Sequence, residues 1–416
     1  MHLLYNLGIY ILITAIRFAA LRMPKAKKWV EGRRNWRNNC VNFRHTTHAK
    51  TLWMHVSSLG EFEQGRPIIE QFRQEFPGWR VILTFFSPSG YEIRKDYSLV
   101  DRVLYLPADT PANARDFLAL IQPDAAIFVK YDFWANYLFA LKKRGTPTLL
   151  VSGLFRPSQP FFKWYGSFWR KILDCFTHVF VQDIESEKLL QSIDFHRTSV
   201  AGDTRVDRVL RIAAAVTPNP LVEVFVGQSP VLIVGSSWDA DEQLLAPLVR
   251  SGEFQQMKII IAPHEPSDRN VTRILERMEG AVLYSQLKTK NTGNNRILVI
   301  DNIGMLNMLY QYGTIAYIGG GFGKGIHNTL EPAAFGLPIL FGPKFEKFEE
   351  ARQFVSRGGA MPVNTTHDII LALHTLQEPH AHQKASNALL SYLEANKGAS
   401  EKAVNWLKAQ FPDQRN

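Results

Sequence analysis

The segment 314–343, TIAYIGGGFGKGIHNTLEPAAFGLPILFGP, combines closely spaced glycines with cationic, amide and carboxylate side chains. A β-branched and aromatic run at 314–318 predicts a strand that ends where the glycines begin. Glycine has no Cβ, so the backbone can approach a ligand closely. A helix predicted to start near Asn328 would offer free N–H groups and the positive end of its dipole to an anion. The pattern predicts a phosphate-binding loop with candidate ligands Gly319, Gly320, Gly321, Lys324, His327 and Asn328.

The spacing of this loop differs from the common nucleotide-binding motifs. Lys324 is followed by Gly325 where a Walker loop needs serine or threonine, and G-x-G-x-x-G is absent. Glu331, one turn into the predicted helix, can accept hydrogen bonds from both hydroxyls of a ribose. The alternative is a glycine-rich βα turn without a ligand. His327 and Glu331 are spaced i, i+4 but lack a third ligand, so no metal site is expected.

Two carboxylates follow predicted strands in the N-terminal half. Glu61 comes directly after a strand at 52–57 and can act as a general base on a sugar hydroxyl. Ser58-x-x-Glu61 is equally a capping box, which needs no function. Asp132 follows a strand ending at Val129 and is a second candidate catalytic carboxylate, with helix capping as its alternative.

Further candidates follow strands of the C-terminal half. Ser236 and Ser237 precede Asp239-Ala240-Asp241, which matches the D-x-D pattern of metal-dependent glycosyltransferases. Its position after a strand favours helix capping instead. His264 follows another strand and is a candidate contact for a nucleotide base or phosphate. With Glu265 it does not continue into H-E-x-x-H, which excludes a metalloprotease motif.

The elements that must position these residues alternate between strand and helix along the chain. Predicted strands lie at 52–57, 81–86, 103–106, 125–129, 148–151, 179–181 and 199–201, and again at 231–234, 258–262, 297–300, 314–318 and 339–341. Such alternation indicates parallel, doubly wound sheets. The fold class is therefore α/β with two Rossmann-like domains facing across a cleft. We expect a membrane anchor at 1–22, an N-terminal Rossmann-like domain at 23–215 and a C-terminal Rossmann-like domain at 216–416.

The positive charge of the chain is concentrated at its N-terminus. The net charge is +10, and residues 1–50 hold ten lysines and arginines against Glu31 alone. This distribution argues against a nucleic-acid-binding body. Residues 3–21 are apolar over about one bilayer span, and basic residues follow at once, which predicts anchoring with the rest of the chain in the cytoplasm. Because Arg17 interrupts the run, a spanning helix, an interfacial helix and an amphipathic helix on the protein body all stay open.

Cysteine content and aromatic residues give weaker indications. The two cysteines, Cys40 and Cys175, form no CxxC motif, which argues for a reducing compartment and against structural zinc. Residues 155–176 are rich in aromatics interleaved with Arg and Lys. Either a lipid-facing surface or the packing of one helix face explains that pattern.

Taken together, these motifs resemble the 3-deoxy-D-manno-oct-2-ulosonic acid (Kdo) transferases of lipopolysaccharide biosynthesis, which have the GT-B fold. The resemblance covers nearly the whole chain. It rests on HVSSLGE at 55–61, SPSGYE at 87–92, GDTRVD at 202–207, IIIAPHEPSDR at 259–269 and, most specifically, GGGFGKGIHNTLEPAAFGLPILFGP at 319–343. Two segments depart from the family pattern. Lys130 stands where an acid is usual before Asp132, and Ser152-Gly153-Leu154-Phe155 replaces an Asn-Ala-Arg segment.

The resemblance implies an inverting transfer of Kdo from CMP-Kdo to a lipid A precursor at the cytoplasmic face of the inner membrane. The domain at 23–215 would bind the acceptor and the domain at 216–416 the nucleotide-sugar donor. Glu61 would be the base, the glycine loop would bind the phosphate of CMP, and Glu331 would hold the ribose. No metal or cofactor beyond the donor substrate is expected, and no nucleic-acid partner. The alternatives are another membrane-associated GT-B transferase that uses a UDP-sugar, and a non-catalytic membrane-bound binding protein.

Overall fold

The computed structural model describes residues 1–41, 49–287 and 295–412. Arg44, one of the basic residues of the N-terminal segment, lies outside these ranges. The chain divides into two compact units, one of Met1–Asp207 with the C-terminal segment from Asn396, the other of Arg208–Ala395. Each unit is built on a parallel sheet covered by helices, as the alternation of strands and helices predicts.

The first unit has a seven-stranded sheet with the order β3-β2-β1-β4-β5-β6-β7 in the described residues. The strands are β1 (Thr51–Val56), β2 (Arg80–Phe85), β3 (Arg102–Tyr105), β4 (Ala125–Val129), β5 (Thr148–Gly153), β6 (His178–Val181) and β7 (Thr198–Val200). The helices are α1 (His2–Ala19), α2 (Pro24–Glu31), α3 (Trp36–Val41), α4 (Leu59–Glu75), α5 (Pro88–Arg94), α6 (Pro111–Ile121), α7 (Ala135–Arg144), α8 (Ser167–Leu173) and α9 (Ile184–Gln191). Helix α10 (Thr204–Ala214) leads into the second unit, and the C-terminal α19 (Ala399–Gln410) belongs to the first.

The second unit has a seven-stranded sheet with the order β10-β11-β9-β8-β12-β13-β14, again counting described residues. The strands are β8 (Val231–Ser237), β9 (Lys258–Pro263), β10 (Ala281–Leu283), β11 (Ile297–Val299), β12 (Ile315–Ile318), β13 (Ile339–Phe341) and β14 (Ala360–Pro362). The helices are α11 (Pro220–Val226), α12 (Asp239–Arg250), α13 (Asp268–Arg277), α14 (Leu306–Leu309), α15 (Leu330–Ala334), α16 (Glu349–Ser356), α17 (Thr366–Gln377) and α18 (Pro379–Asn396).

The core of each unit covers both faces of its sheet, which explains the nearly continuous apolar runs of the strands. In β1, Leu52, Met54 and Val56 pack with α4 on one face. Trp53 packs on the opposite face, where its indole N–H donates to Thr84 Oγ1 at 2.9 Å. The only polar atom of this large buried ring is therefore satisfied.

The predicted strands are present, and two edge strands of three residues, β10 and β14, were not predicted. The aromatic stretch 155–176 is mostly core, because Phe155, Phe161, Phe168 and Phe176 are buried. Trp164, which is 91% exposed, and Tyr165 form a tip outside that core. The helix predicted across 383–410 is divided into α18 and α19 at Gly398, whose φ of +85° favours glycine.

The observed division of the chain differs from the predicted one, because α19 packs in the first unit. Ala403, Val404 and Leu407 join the core beside α4. The Asp207 carboxylate accepts hydrogen bonds from the backbone N–H of Gly398 and Ser400, at 2.5 and 2.7 Å. The first unit is therefore completed by the last helix of the chain.

Helix α1 is long and apolar enough to cross a membrane, yet one of its faces is fixed to the first unit. His2 Nε2 lies 3.0 Å from Asn136 Oδ1, and the Asn136 amide donates to Asn6 Oδ1 at 2.8 Å. The Tyr5 hydroxyl donates to Asp109 Oδ2 at 2.5 Å. The other face is exposed along its length and carries Leu3, Leu4, Leu7, Tyr10, Ile11 and Phe18.

Candidate functional site

The two catalytic candidates of the first unit lie at the carboxyl edge of its sheet, where the strand order reverses. β1 and β4 are adjacent, and the strands that follow each of them in the chain lie on opposite sides of the pair. Doubly wound α/β folds bind ligands at such a position. Glu61 lies in the first turn of α4, directly after β1. Asp132 lies in the loop between β4 and α7. The topology thus places the loops that carry both carboxylates beside each other.

Asp132 is a buried acid with little solvation. Ser57 Oγ donates to its Oδ1, while Oδ2 has no hydrogen-bond partner among the described residues. Burial and the nearby charge of Glu61 raise the pKa of Asp132 to about 8. Asp132 therefore carries a proton at neutral pH.

His55, whose Nε2 lies 3.7 Å from Asp132 Oδ2, forms no ion pair with it. The indole N–H of Trp134 donates to His55 Nε2 at 2.9 Å, so that nitrogen holds no proton. His55 Nδ1 lies 2.8 Å from Thr84 Oγ1 and carries the ring proton. Burial lowers the pKa of His55 to about 3, and the imidazole is neutral. His55 therefore fixes the loop that carries Asp132 through its hydrogen bond with Trp134, and it brings no charge close to Asp132.

Glu61 is partly exposed, unlike Asp132. Ser58 is the N-cap residue of α4, but its side chain accepts no hydrogen bond from the helix backbone. Its hydroxyl donates to the Glu61 carboxylate instead. The capping box suggested by the sequence is therefore not formed. Glu61 is left as a solvated carboxylate, with an oxygen able to accept a proton.

The donor candidates of the second unit gather at the carboxyl edge of its sheet, around β8, β9 and β12. β8 and β12 are the neighbours at which this strand order reverses. Ser236 and Ser237 end β8, His264 follows β9, and Gly319 follows β12. The loops named from three separate motifs therefore meet at one edge.

Asp241 ties these loops together. Its Oδ2 accepts from the backbone N–H groups of Trp238 and Gly320, each at 2.9 Å, and its Oδ1 accepts from the Tyr317 hydroxyl at 2.9 Å. The capping interpretation of the D-x-D pattern is confirmed, since Asp241 caps α12. Asp239 pairs with Arg277 at 3.0 Å. Neither carboxylate is arranged as a metal ligand, and the described residues contain no group of three candidate metal ligands.

The glycines of the loop are required by close backbone packing. A Cβ on Gly319 would lie 2.3 Å from the carbonyl oxygen of Ser236, and one on Gly321 would lie 2.6 Å from Gly342. Gly320 has a φ of +93° and Gly325 a φ of +136°, conformations that L side chains rarely adopt. The glycine pattern therefore specifies this loop shape before any ligand is considered.

Three aromatic rings stack beside the glycine loop. The ring centroids of Trp238 and His264 are 4.6 Å apart, and those of His264 and His327 are 4.3 Å apart. The Trp238 indole donates to His327 Nε2 at 2.8 Å. Burial and the neighbouring His264 lower the pKa of His327 to about 4. His327 is therefore a neutral ring whose Nδ1–H can donate to an anion, rather than the cation that its position in the motif suggests.

The end of the loop carries the carboxylate predicted to hold a ribose. The Asn328 amide donates to Glu331 Oε1 at 2.9 Å. With the Asn307 amide oriented so that its nitrogen faces this carboxylate, that nitrogen donates to Glu331 Oε2 at 2.6 Å. The helix there, α15, starts at Leu330 and is five residues long. The prediction of a helix from Asn328 was wrong at this boundary, so α15 offers a weaker dipole than expected.

Sequence reasoning missed three residues of this edge: Trp238, Asn307 and Lys344. Lys324 is exposed, whereas Lys344 Nζ donates to the carbonyl oxygens of Phe322 and Gly323, both at 3.1 Å. Trp238 stood beside the D-x-D pattern and could have been found there. Asn307 and Lys344 lie outside the motifs, and no pattern in the sequence marks them.

Comparison with known proteins agrees with this geometry. Residues 33–208 match the family model of 3-deoxy-D-manno-octulosonic-acid transferase (kdotransferase). The chain is similar to the 3-deoxy-D-manno-octulosonic acid transferases of Haemophilus influenzae, at 24% identity over 86% of both chains, and of Aquifex aeolicus, at 26% identity over 74% of this chain and 80% of the relative. Residues 33–208 therefore form a domain of the Kdo transferase family.

Among solved structures, the chain is similar to UDP-GlcNAc 2-epimerase from Neisseria meningitidis bound to UDP-GlcNAc. The TM-score is 0.60 at 17% identity, over 86% of this chain and 99% of the epimerase. At that identity the likeness concerns the fold, two parallel-sheet α/β domains of GT-B type. The protein is a glycosyltransferase by its family.

The positions at which the chain departs from the Kdo transferase motifs, Lys130 and Ser152, lie close to the ion pair of Asp203 and Arg205. Arg205 donates to Asp203 at 2.6 Å. Burial alone would raise the pKa of Asp203, but the charges of Arg205 and Lys130 hold it below its usual value. Lys130 and Ser152 both have positive φ, +64° and +54°. In this chain Lys130 is therefore placed to neutralise a buried carboxylate of the first unit.

Proposed function

We propose that this protein transfers Kdo from CMP-Kdo to a lipid A precursor, lipid IVA, at the cytoplasmic face of the bacterial inner membrane. The family supplies the reaction class. The observation that carries the proposal is the pair of acids at the edge of the first sheet, an accessible Glu61 beside a buried Asp132 with a pKa raised to about 8.

Glu61 acts as the general base in this proposal. The hydroxyl of the acceptor gives its proton to the Glu61 carboxylate, and its oxygen bonds to the anomeric carbon of Kdo. The bond from that carbon to the phosphate oxygen breaks, and CMP leaves with the bonding pair and with inversion at carbon. Asp132 stays protonated, so that a second negative charge beside Glu61 is avoided.

The second unit binds CMP in this proposal. The backbone of Gly319–Gly321, the Nδ1–H of His327 and the Lys324 ammonium meet the single phosphate, whose charge grows as CMP leaves. Glu331, held by Asn307 and Asn328, accepts hydrogen bonds from the ribose hydroxyls. The stack of Trp238, His264 and His327 offers an aromatic face for the base. In this proposal these groups themselves stabilise the charge on the leaving phosphate, so we expect transfer to survive chelation.

We also infer that α1 lies in the membrane interface and does not cross the bilayer. Crossing would break the hydrogen bonds of His2, Tyr5 and Asn6 to the first unit, each to a partner that is itself buried. The exposed face of α1 is apolar, and basic residues follow it, as in helices that lie in the interface. The exposed tip of Trp164 and Tyr165 suits the headgroup region.

The test is transfer of radiolabelled Kdo from CMP-Kdo to tetraacylated lipid IVA in the presence of EDTA. Glu61→Gln should lower the rate by about 10²–10⁴-fold, the usual contribution of a general base, while CMP binding stays unchanged. Glu63→Gln on the same helix is the matched control and should keep the wild-type rate. Full activity of Glu61→Gln would leave Glu61 as a structural residue. A folded wild-type protein that binds CMP but transfers no Kdo would overturn the choice of acceptor.

A further inference from the structure

A cavity of about 390 Å³ lies in the first unit, where the C-terminal part of α1 meets α2, α3 and the loop after β3. Its volume falls within the range of about 300–1,000 Å³ that small-molecule sites occupy. Four guanidinium groups line it, together with two tryptophans that close its inner side: Arg17, Arg33, Arg34, Arg37, Trp29 and Trp36. The two candidate catalytic carboxylates, Glu61 and Asp132, do not line this cavity.

Arg33 is a buried cation, and no carboxylate of the described residues forms an ion pair with it. Its guanidinium donates to three neutral carbonyl oxygens, those of Leu106, Trp29 and Phe86, at 2.7, 3.1 and 2.7 Å. Burial lowers the pKa of Arg33 to about 9, which still leaves the guanidinium charged at pH 7. A buried charge that lacks an opposite partner is costly, and an anion in the cavity would offset that cost.

Two of the other arginines are available to the same anion. Arg37 pairs with Asp116 at 2.7 Å. No described carboxylate pairs with Arg17 or Arg34, both of which are exposed at the cavity. The cavity therefore has positive charge that the described carboxylates of the first unit do not neutralise. Guanidinium groups suit phosphate oxygens in particular.

The position of the cavity on α1 indicates what carries the phosphate. Arg17 lies one turn after Ile13, and both line the cavity from the last turns of α1. The same helix exposes Leu7, Tyr10 and Ile11 along its outer face. A ligand with its phosphate at the arginines can therefore extend apolar chains beside an apolar helix, which a soluble phosphate cannot do.

We propose that this cavity, the arginine cavity, binds the phosphate headgroup of an anionic glycerophospholipid of the membrane. The headgroup phosphate lies against Arg17, Arg34 and the buried Arg33, and the acyl chains follow the outer face of α1. The site is separate from the acid pair and holds the first unit at the bilayer by a specific lipid contact. The proposal does not depend on the identity of the sugar donor or acceptor.

The experiment measures binding of short-chain lipids to the full chain in dodecyl maltoside by calorimetry. Dihexanoyl-phosphatidylglycerol should bind, while dihexanoyl-phosphatidylcholine and sn-glycerol 3-phosphate should each bind at least about tenfold more weakly. Arg17→Gln with Arg34→Gln should weaken binding of the phosphatidylglycerol by about 30-fold, from about fivefold for each cation. Lys143→Gln with Arg144→Gln, at the exposed end of α7, removes the same charge outside the cavity and should change binding less than twofold.

Each other outcome overturns the proposal. Equal affinity for glycerol 3-phosphate would make this a site for free phosphate, and equal affinity for phosphatidylcholine would make it a purely apolar contact. The same loss in the α7 control would show a general effect of charge. Ala108→Asp places a carboxylate in the cavity without removing a side-chain contact, so lipid binding that survives it overturns the proposal even where the arginine variant fails to fold. CMP binding should be unchanged in all variants.

Discussion

Replacing Asp132 by asparagine tests the protonation state of the acid pair. Asparagine has the shape of the protonated acid, and its amide oxygen can still accept the hydrogen bond of Ser57 Oγ. If the buried carboxyl is neutral in the folded protein, the variant should keep the fold and transfer Kdo within about tenfold of the wild type at pH 7.

The sign of the effect on stability follows from the raised pKa. Between pH 3.8 and about 8 the folded protein holds a proton on Asp132 that the unfolded chain releases. The wild type should therefore lose stability as the pH rises through this window, and the loss is complete above pH 8. The variant has no such group and should not lose stability from this source.

The size of the effect is bounded by the same shift. The difference between 3.8 and about 8 corresponds to at most about 6 kcal/mol, at about 1.4 kcal/mol for each pKa unit. Ionisation of a buried acid is accompanied by relaxation and entry of water, which reduces this cost. We therefore expect the difference in unfolding free energy between Asp132→Asn and the wild type to shift by about 2–3 kcal/mol in favour of the variant between pH 5 and 8.5.

The assay is urea unfolding at pH 5, 7 and 8.5. Unfolding is monitored by hydrogen exchange in peptides from β1 and β4, so that the stability of the first unit is measured by itself. Asp96→Asn, at an exposed position of the same unit, is the control and should follow the wild type at every pH. A difference between Asp132→Asn and the wild type that stays constant from pH 5 to 8.5 would refute the assignment of the proton to Asp132.

Three further predictions concern the second unit. Asp241→Ala leaves the backbone N–H of Gly320 without its acceptor, and we expect a loss of about 3 kcal/mol of stability with loss of CMP binding, measured by thermal unfolding and calorimetry. Trp238→Phe keeps the stack but removes the N–H donated to His327, so the pKa of His327 should rise, as NMR titration would detect, and CMP binding should weaken severalfold. Gly321→Ala forces backbone apart at the loop and should destabilise the unit by at least about 2 kcal/mol, whereas equal stability would contradict the close packing.

The fold could be predicted from the sequence because buried parallel strands are continuous apolar runs separated by turn residues. The predicted strands of both sheets have that pattern. β10 and β14 lie at the two edges of the second sheet and are only partly buried, so they do not require a continuous apolar run. The return of α19 to the first unit depends on contacts between residues about 190 positions apart, such as Asp207 with Gly398, and no local pattern encodes them.

The candidate site was predictable as far as its motifs extend. The order of the strands could bring Ser236, His264 and Gly319 to one edge, and the structure places them there. The charge of individual groups could not be predicted, because it depends on burial. His327 is neutral as a result of burial and a neighbouring ring, and Asp132 is protonated because water does not reach it.

The return of the last helix has a consequence for synthesis of the protein on the ribosome. The first unit lacks part of its core until Ala403, Val404 and Leu407, which are made after the whole of the second unit, have left the exit tunnel. The second unit is continuous in sequence and can fold earlier, from residues made before them. The nascent chain should therefore complete its later-encoded unit first. A stop codon that removes only α19 should leave the first unit unfolded while the second still binds CMP.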